Sequence, residues 1–141
     1  MAEGLAIFLG GVNGVTPVFD LVSSAALEGL ADINPDAKLV MSNIGVDISS
    51  HYSKMIDSFS PQDFDIVISM CGCGGSVIAE WREGKRFEDW NVLDPTGYDV
   101  DTFITVRNEI ESRVKELIRS IIEQRPPTYS LYTADRCSLS L

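Results

Sequence analysis

Residues 65–75 read Asp-Ile-Val-Ile-Ser-Met-Cys-Gly-Cys-Gly-Gly, and this stretch decides the fold. It begins as a short apolar run rich in β-branched residues and ends with three glycines in its last five positions. Such a run predicts a buried parallel strand that opens into a loop. In open α/β sheets, ligands bind at loops that follow the carboxyl ends of strands. We therefore expect Cys71 and Cys73 to lie at the functional centre.

Composition sets the class of protein. With 141 residues, 45% of them hydrophobic, the chain fits a single domain with an adequate core. Its formal net charge of -10 argues against nucleic acid and anionic membrane surfaces as partners. No apolar run is long enough to cross a membrane, and residues 1–11 lack the positive start of a signal peptide, so we expect a soluble cytoplasmic protein. Three cysteines in such a chain indicate thiols that cycle rather than structural disulfides.

Strand and helix patterns alternate along the rest of the chain. Apolar spacing predicts a helix over residues 1–9, and alternation predicts a strand over residues 17–22. Asn34 and Pro35 are typical of a helix start, and Gly45 of its end. A long apolar stripe between residues 103 and 121 predicts the last helix.

The order of these elements predicts an α/β domain over residues 1–124, with a small parallel sheet and helices on both faces. Residues 76–98 are expected to form a long surface loop, and residues 125–141 a polar tail without structure. A parallel sheet of this kind starts with a strand, because the first helix returns the chain in a right-handed crossover. Here that first strand is missing, and we expect it to lie before residue 1.

Further motifs are spread over residues 1–122, and in combination they are specific. They are Met1-Ala2-Glu3-Gly4, Asn34-Pro35-Asp36-Ala37 through Gly45-Val46-Asp47-Ile48-Ser49, Phe87-Glu88-Asp89-Trp90 running to Asp94-Pro95, and Val106-Arg107-Asn108-Glu109-Ile110 followed by Arg113-Val114. Together with the Cys-Gly-Cys-Gly loop they resemble the thioredoxin- or glutaredoxin-linked arsenate reductases that share the low-molecular-weight tyrosine phosphatase fold.

The resemblance implies a nucleophile loop that this sequence does not contain. In the family a C-x5-R loop between the first strand and the first helix cradles the oxyanion and leads directly into Met-Ala-Glu-Gly. No cysteine of this chain lies in a C-x5-R frame. We therefore expect Met1 to be an internal methionine of the family pattern, and the chain as printed to lack turnover without that loop.

The resemblance also implies roles for three residues. Cys71 and Cys73 form a redox relay: one attacks the arsenic adduct on the nucleophile, arsenite leaves, and the other takes over the disulfide. Asp94 is the general acid, held over the oxyanion pocket by the turn at Pro95. The implied partners are arsenate or a phosphate-like oxyanion, and thioredoxin or glutathione with glutaredoxin as reductant. No bound cofactor and no metal are implied.

Other interpretations of these residues stay open. Cys71 and Cys73 also fit small residues buried at a strand end, or a metal site completed by Cys137 and His51. Asp before Pro is a common turn opener, so Asp94 has an ordinary structural explanation. The alternative functions are a low-molecular-weight protein tyrosine phosphatase, which has no use for the cysteine pair, and a truncated, non-catalytic copy that acts as a binding protein.

Overall fold

The computed structural model describes residues 1–12, 18–19, 21–27, 31–72, 77, 79–124 and 137–140. The helices and strands are α1 (Ala2–Val12), α2 (Pro35–Ser42), β1 (Ile66–Ser69), β2 (Arg86–Asp89), α3 (Val100–Gln124) and β3 (Cys137–Ser140). Short 3-10 helices cover Ile56–Ser58, Pro61–Asp63 and Ala79–Trp81.

The sheet is parallel and has β1 at its centre. Its strand order is β2-β1-β3, with Ile66 paired to Arg86 on one side and to Cys137 on the other. All four residues of β1 are buried, as expected of a strand covered on both faces. The α/β class with a small parallel sheet, predicted from residues 65–75, is thereby confirmed.

The helices form where the sequence indicated them. The Asn34 side chain accepts a hydrogen bond of 2.8 Å from the Asp36 amide and so caps α2, with Pro35 in the first position. The predicted stripe of α3 is buried, and α3 packs against both α1 and α2. Arg107 adds a buried hydrogen bond of 2.8 Å from its Nη1 to the carbonyl of Val40. This bond ties α3 to α2.

Two hydrophobic clusters lie on opposite faces of β1. The larger one contains Ile66 and Ile68 together with the buried residues of all three α-helices. The smaller one contains Val67 with Phe64, Val77 and Trp81. Because successive side chains of a strand point to opposite faces, β1 divides the core in two. Two of the 3-10 helices contribute to the smaller cluster, through Ile56 and Trp81.

Three sequence-based expectations differ from the structure. Residues 18–19 and 21–22, the described part of the strand expected over 17–22, are not a strand. The segment 76–98, expected to be a loop, contains β2, which is an edge strand of the sheet. Its sequence, Arg-Phe-Glu-Asp, is mostly charged and so lacks the apolar pattern from which a strand is predicted. The tail, expected to lack structure, contains β3 at Cys137–Ser140, since its backbone pairs with the free edge of β1. Residues 125–136 and 141 lie outside the described residues.

Candidate active site

The loop after β1 carries Cys71 in an exposed position. Cys71 is disulfide-bonded, and its sulfur lies 3.7 Å from the hydroxyl of the buried Ser69. The amide of Trp90 donates to the Ser69 carbonyl at 2.8 Å, and that of Val92 to the Met70 carbonyl at 2.7 Å. These bonds continue the β1–β2 pairing past the strand ends. The backbone that presents Cys71 is therefore held by the sheet.

Gly72 fixes the next step of the loop. Its amide donates to the Asp89 carboxylate at 3.0 Å, and its φ of 72° lies in the left-handed region. A Cβ at this position would stand 2.3 Å from Oδ1 of Asn91. Only glycine therefore allows this approach to residues 89–91 without a shift of the neighbouring loop.

A pocket of about 420 Å³ opens beside Cys71, at the carboxyl end of β1. Cys71 and Asp94 both line it, as do Met1 and Ala2 at the start of α1. Its floor is apolar and includes Phe103 and other residues of α3. The structure thus brings two of the three predicted site residues to one cavity, next to the amino end of the first helix.

Asp94 also has the structural role that the alternative interpretation assigned to it. Its Oδ1 accepts a hydrogen bond of 3.0 Å from the Thr96 amide, and the Tyr98 amide closes the following turn on the Pro95 carbonyl. The carboxyl is therefore held at the rim by a rigid turn. Asp94 is thus part of an ordinary turn and also lines the pocket.

The other two cysteines are Cys73 and Cys137. Cys73 lies outside the described residues. Cys137 pairs with Ile66, five residues before Cys71, which corresponds to about 16 Å along a strand. A disulfide requires Cα atoms within about 7 Å, so this register does not bring Cys137 to Cys71. Among the described residues no group of three His, Cys, Asp or Glu is arranged to hold a metal ion.

The structure adds a cluster around Glu3 that sequence reasoning did not identify. Its Oε2 accepts hydrogen bonds from the Ser24 amide at 2.6 Å, the Ser24 hydroxyl at 2.5 Å and Lys54 Nζ at 3.3 Å. His51, which has no partner at a motif spacing in the sequence, places Nδ1 3.6 Å from the other carboxylate oxygen. Burial raises the pKa of Glu3, but the bonds from Ser24 and the charge of Lys54 outweigh it and hold that pKa below its ordinary 4.5.

This cluster shapes one wall of the pocket. Ser24 and Lys54 both line the cavity, and the segments that carry them are joined by a bridge between Ala26 and Met55. Within the described part of the lining, Lys54 is the single lysine or arginine. An acidic residue in the first turn of a helix gives no signal for such a cluster, because its partners are 21 and 51 residues away.

Comparison with known proteins defines the class. A family model described as low molecular weight phosphotyrosine protein phosphatase matches residues 1–126, and the chain belongs to that family. Within it, the chain is similar to arsenate reductases. It is 40% identical over 121 residues to the glutaredoxin arsenate reductase of Synechocystis sp., covering 86% of this chain and 87% of that one. Arsenate reductase 1 of Staphylococcus haemolyticus is 31% identical over 101 residues, covering 72% and 75%.

Solved structures give the same result. An arsenate reductase in its oxidized state superposes with a TM-score of 0.74 at 39% identity, covering 85% of this chain and 86% of that one. An arsenate reductase in a phosphate binding state superposes with a TM-score of 0.75, also at 39% identity with 85% and 86% covered. The resemblance inferred from the sequence motifs is confirmed. In the part of the chain that the structure describes, no helix has the length and apolarity needed to span a membrane.

Proposed function

We propose that this protein acts as an arsenate reductase in which Cys71 and Cys73 transfer the electrons and Asp94 supplies a proton. The observation that carries the proposal is the exposed, disulfide-bonded Cys71 at the mouth of a pocket that Asp94 also lines. Similarity to arsenate reductases at 39–40% identity over most of the chain supports the same chemistry.

Reduction of arsenate to arsenite moves two electrons to arsenic. Two thiolates provide them and end as one disulfide, while one oxygen of arsenate departs as water. The proposed sequence uses a third thiol, the cysteine of the family's C-x5-R loop, which this chain does not contain. Its sulfur bonds to arsenic as one arsenate oxygen leaves as water, and the thiolate of Cys71 then attacks that sulfur, so that the As–S bond breaks and arsenite leaves with the electron pair. Cys73 finally attacks the sulfur of Cys71, closes the Cys71–Cys73 disulfide and releases the third thiol unchanged. Asp94 protonates the departing oxygen.

The proposed reductant is glutathione with glutaredoxin, as the name of the Synechocystis relative suggests. Thioredoxin is the alternative donor. Either donor requires a disulfide that a second protein can reach, and Cys71 is exposed. The proposal places the protein in the cytoplasm, where these systems maintain thiols in the reduced state. With a net charge of -10, nucleic acids and anionic membranes are not proposed as partners.

Arsenate-dependent oxidation of each donor system tests the function. The assay is run on this chain and on a version extended by the in-frame residues encoded upstream, with phosphatase turnover measured in parallel. In the form of the protein that reduces arsenate, we expect Cys71→Ser and Cys73→Ser to abolish reduction and Asp94→Asn to slow it by about 100-fold or more. Cys137→Ser is the matched control and should retain activity. Phosphate ester hydrolysis without arsenate reduction would favour the phosphatase alternative, and binding without turnover in both forms the non-catalytic one.

A further inference from the structure

The buried hydroxyl of Ser69 contacts the sulfur of Cys71. Ser69 is the last residue of β1, and only 3% of it is exposed. Its Oγ lies 3.7 Å from Sγ of Cys71. Because a disulfide sulfur carries no hydrogen, the hydroxyl is the donor in this state. A polar group placed after three apolar strand residues thus points its hydrogen at the redox-active sulfur.

We propose that Ser69 is a positioning residue that stabilises the thiolate of Cys71, an inference that rests on the redox role proposed above for that cysteine. A hydrogen bond strengthens when its acceptor becomes charged. The contact is therefore weaker with the disulfide than with the thiolate that precedes or follows it. The sheet fixes Ser69 through its carbonyl, which accepts the Trp90 amide, so the donor is in place before the charge develops.

The charges around Cys71 disfavour its thiolate, so a hydrogen-bond donor is needed to stabilise it. The Asp89 carboxylate accepts the amide of the next residue, Gly72, and Asp94 and Asp32 line the same pocket. The described lining has two cations, the ammonium group of Lys54, which is paired with Glu3, and the amino terminus of Met1, whose pKa is lowered by burial. The three carboxylates outnumber these cations, and this balance disfavours a thiolate. The Ser69 hydroxyl acts in the opposite direction and at contact distance.

The effect applies to each exchange step in which Cys71 is the attacking or the leaving sulfur. When a thiolate of a dithiol reductant attacks the other sulfur of the disulfide, a new S–S bond forms and the old one breaks. The electron pair of the broken bond remains on Cys71, where the hydroxyl of Ser69 donates to it. The second thiol of the reductant then releases the mixed disulfide, and two electrons have moved from the reductant to the protein.

Alkylation of the reduced full-length chain tests the proposal without arsenate. Iodoacetamide rates are followed across the pH range by tandem mass spectrometry, which separates labelling at Cys71 from labelling at Cys73 in the peptide that contains both, with Cys137 as internal reference. In Ser69→Ala we expect the pH of half-maximal alkylation of Cys71 to rise by about one pH unit. The limiting rate at high pH should stay equal or increase, since a more basic thiolate is the better nucleophile. An unchanged half-maximal pH at Cys71 overturns the proposal.

The glutathione equilibrium gives a second readout. Above the half-maximal pH of both proteins, where reduced Cys71 is a thiolate, removing the hydroxyl destabilises the reduced form, so the disulfide of Cys71 should become about tenfold harder to reduce, which is about 30 mV for two electrons. Urea unfolding establishes that the variant is folded. Should Ser69→Ala fail to fold, Ser69→Thr and Ser69→Val replace it, because the two have the same shape and differ in the hydroxyl. Equal alkylation profiles of Thr and Val would contradict the proposal, and a higher half-maximal pH for Val would support it.

The two proposals fail separately. If Cys71→Ser retains arsenate reduction, the redox role of Cys71 is wrong, whatever Ser69 does to alkylation. If Cys71→Ser abolishes activity in a form that reduces arsenate, but Ser69→Ala alkylates as wild type, only the role of Ser69 is wrong.

Discussion

Replacing Glu3 by alanine should destabilise the domain more than replacing any exposed acidic residue by alanine. The Glu3 side chain is 12% exposed, and its carboxylate receives two hydrogen bonds from Ser24 and one from Lys54. Bonds to a charged group contribute about 1.5–3 kcal/mol each and do not add fully, because Ser24 and the freed Lys54 regain some water. We expect Glu3→Ala to lower the free energy of unfolding by about 3 kcal/mol.

Urea unfolding followed by circular dichroism measures this loss. Glu116→Ala is the matched control, since Glu116 pairs with Arg119 on the exposed face of α3 and should cost less than about 0.5 kcal/mol. Lys54→Met completes a double-mutant cycle. It should cost less than Glu3→Ala, because the carboxylate then keeps both Ser24 donors. If Glu3→Ala and Glu116→Ala destabilise equally, the cluster does not hold the pocket wall.

Further predictions concern pH, the cysteine loop and the tail. Because the pKa of Glu3 is lowered on folding, the stability that its carboxylate contributes is complete above pH 4.5 and is lost as the pH falls through the lowered pKa. The difference in urea midpoint between wild type and Glu3→Gln should therefore vanish below that pKa, and a difference that stays constant with pH would refute this. Gly72→Ala should lower the free energy of unfolding by about 2–4 kcal/mol, because Gly72 has a positive φ and a Cβ there would contact Asn91. Gly84→Ala should lower it by about 1 kcal/mol, because Gly84 has a φ of 69° but open space around its Cβ position. Equal losses for the two variants would contradict the packing of the loop at Gly72. Deleting residues 125–141 should uncover an edge of β1 and promote aggregation, seen by light scattering, and an equally stable monomer would argue against β3.

Local patterns in the sequence were sufficient for the helices and the central strand. The helix α3 has a regular apolar stripe, α2 has a side-chain cap, and β1 is a short run of β-branched residues. The strands β2 and β3 carry no such pattern. Apart from Phe87 and Leu139 their residues are charged or small, and their pairing is determined by the edges of β1 rather than by their own composition. The pairing of strands that lie so far apart along the chain cannot be inferred from local sequence patterns.

The candidate site was likewise predicted only in part from the sequence. The position of Cys71 followed from the strand-to-loop transition, and Asp94 from the family resemblance; the structure places both at one pocket. The cluster of Glu3, Ser24 and Lys54 was not predicted, because three separate segments meet only in the folded chain. The contact between Ser69 and Cys71 is local, two residues apart, but whether a hydroxyl faces the sulfur depends on the turn of the backbone between them.

The division of the core by β1 gives each half its own spectroscopic probe. The chain has two tryptophans: Trp90 belongs to the cluster built on the α-helices, and Trp81 to the cluster on the other face, each 5% exposed. Single-tryptophan variants made with Trp81→Phe or Trp90→Phe would therefore report intrinsic fluorescence from one side of the sheet at a time. Coincident denaturation curves would show that the two halves melt as one cooperative unit, and separated curves would reveal which half opens first.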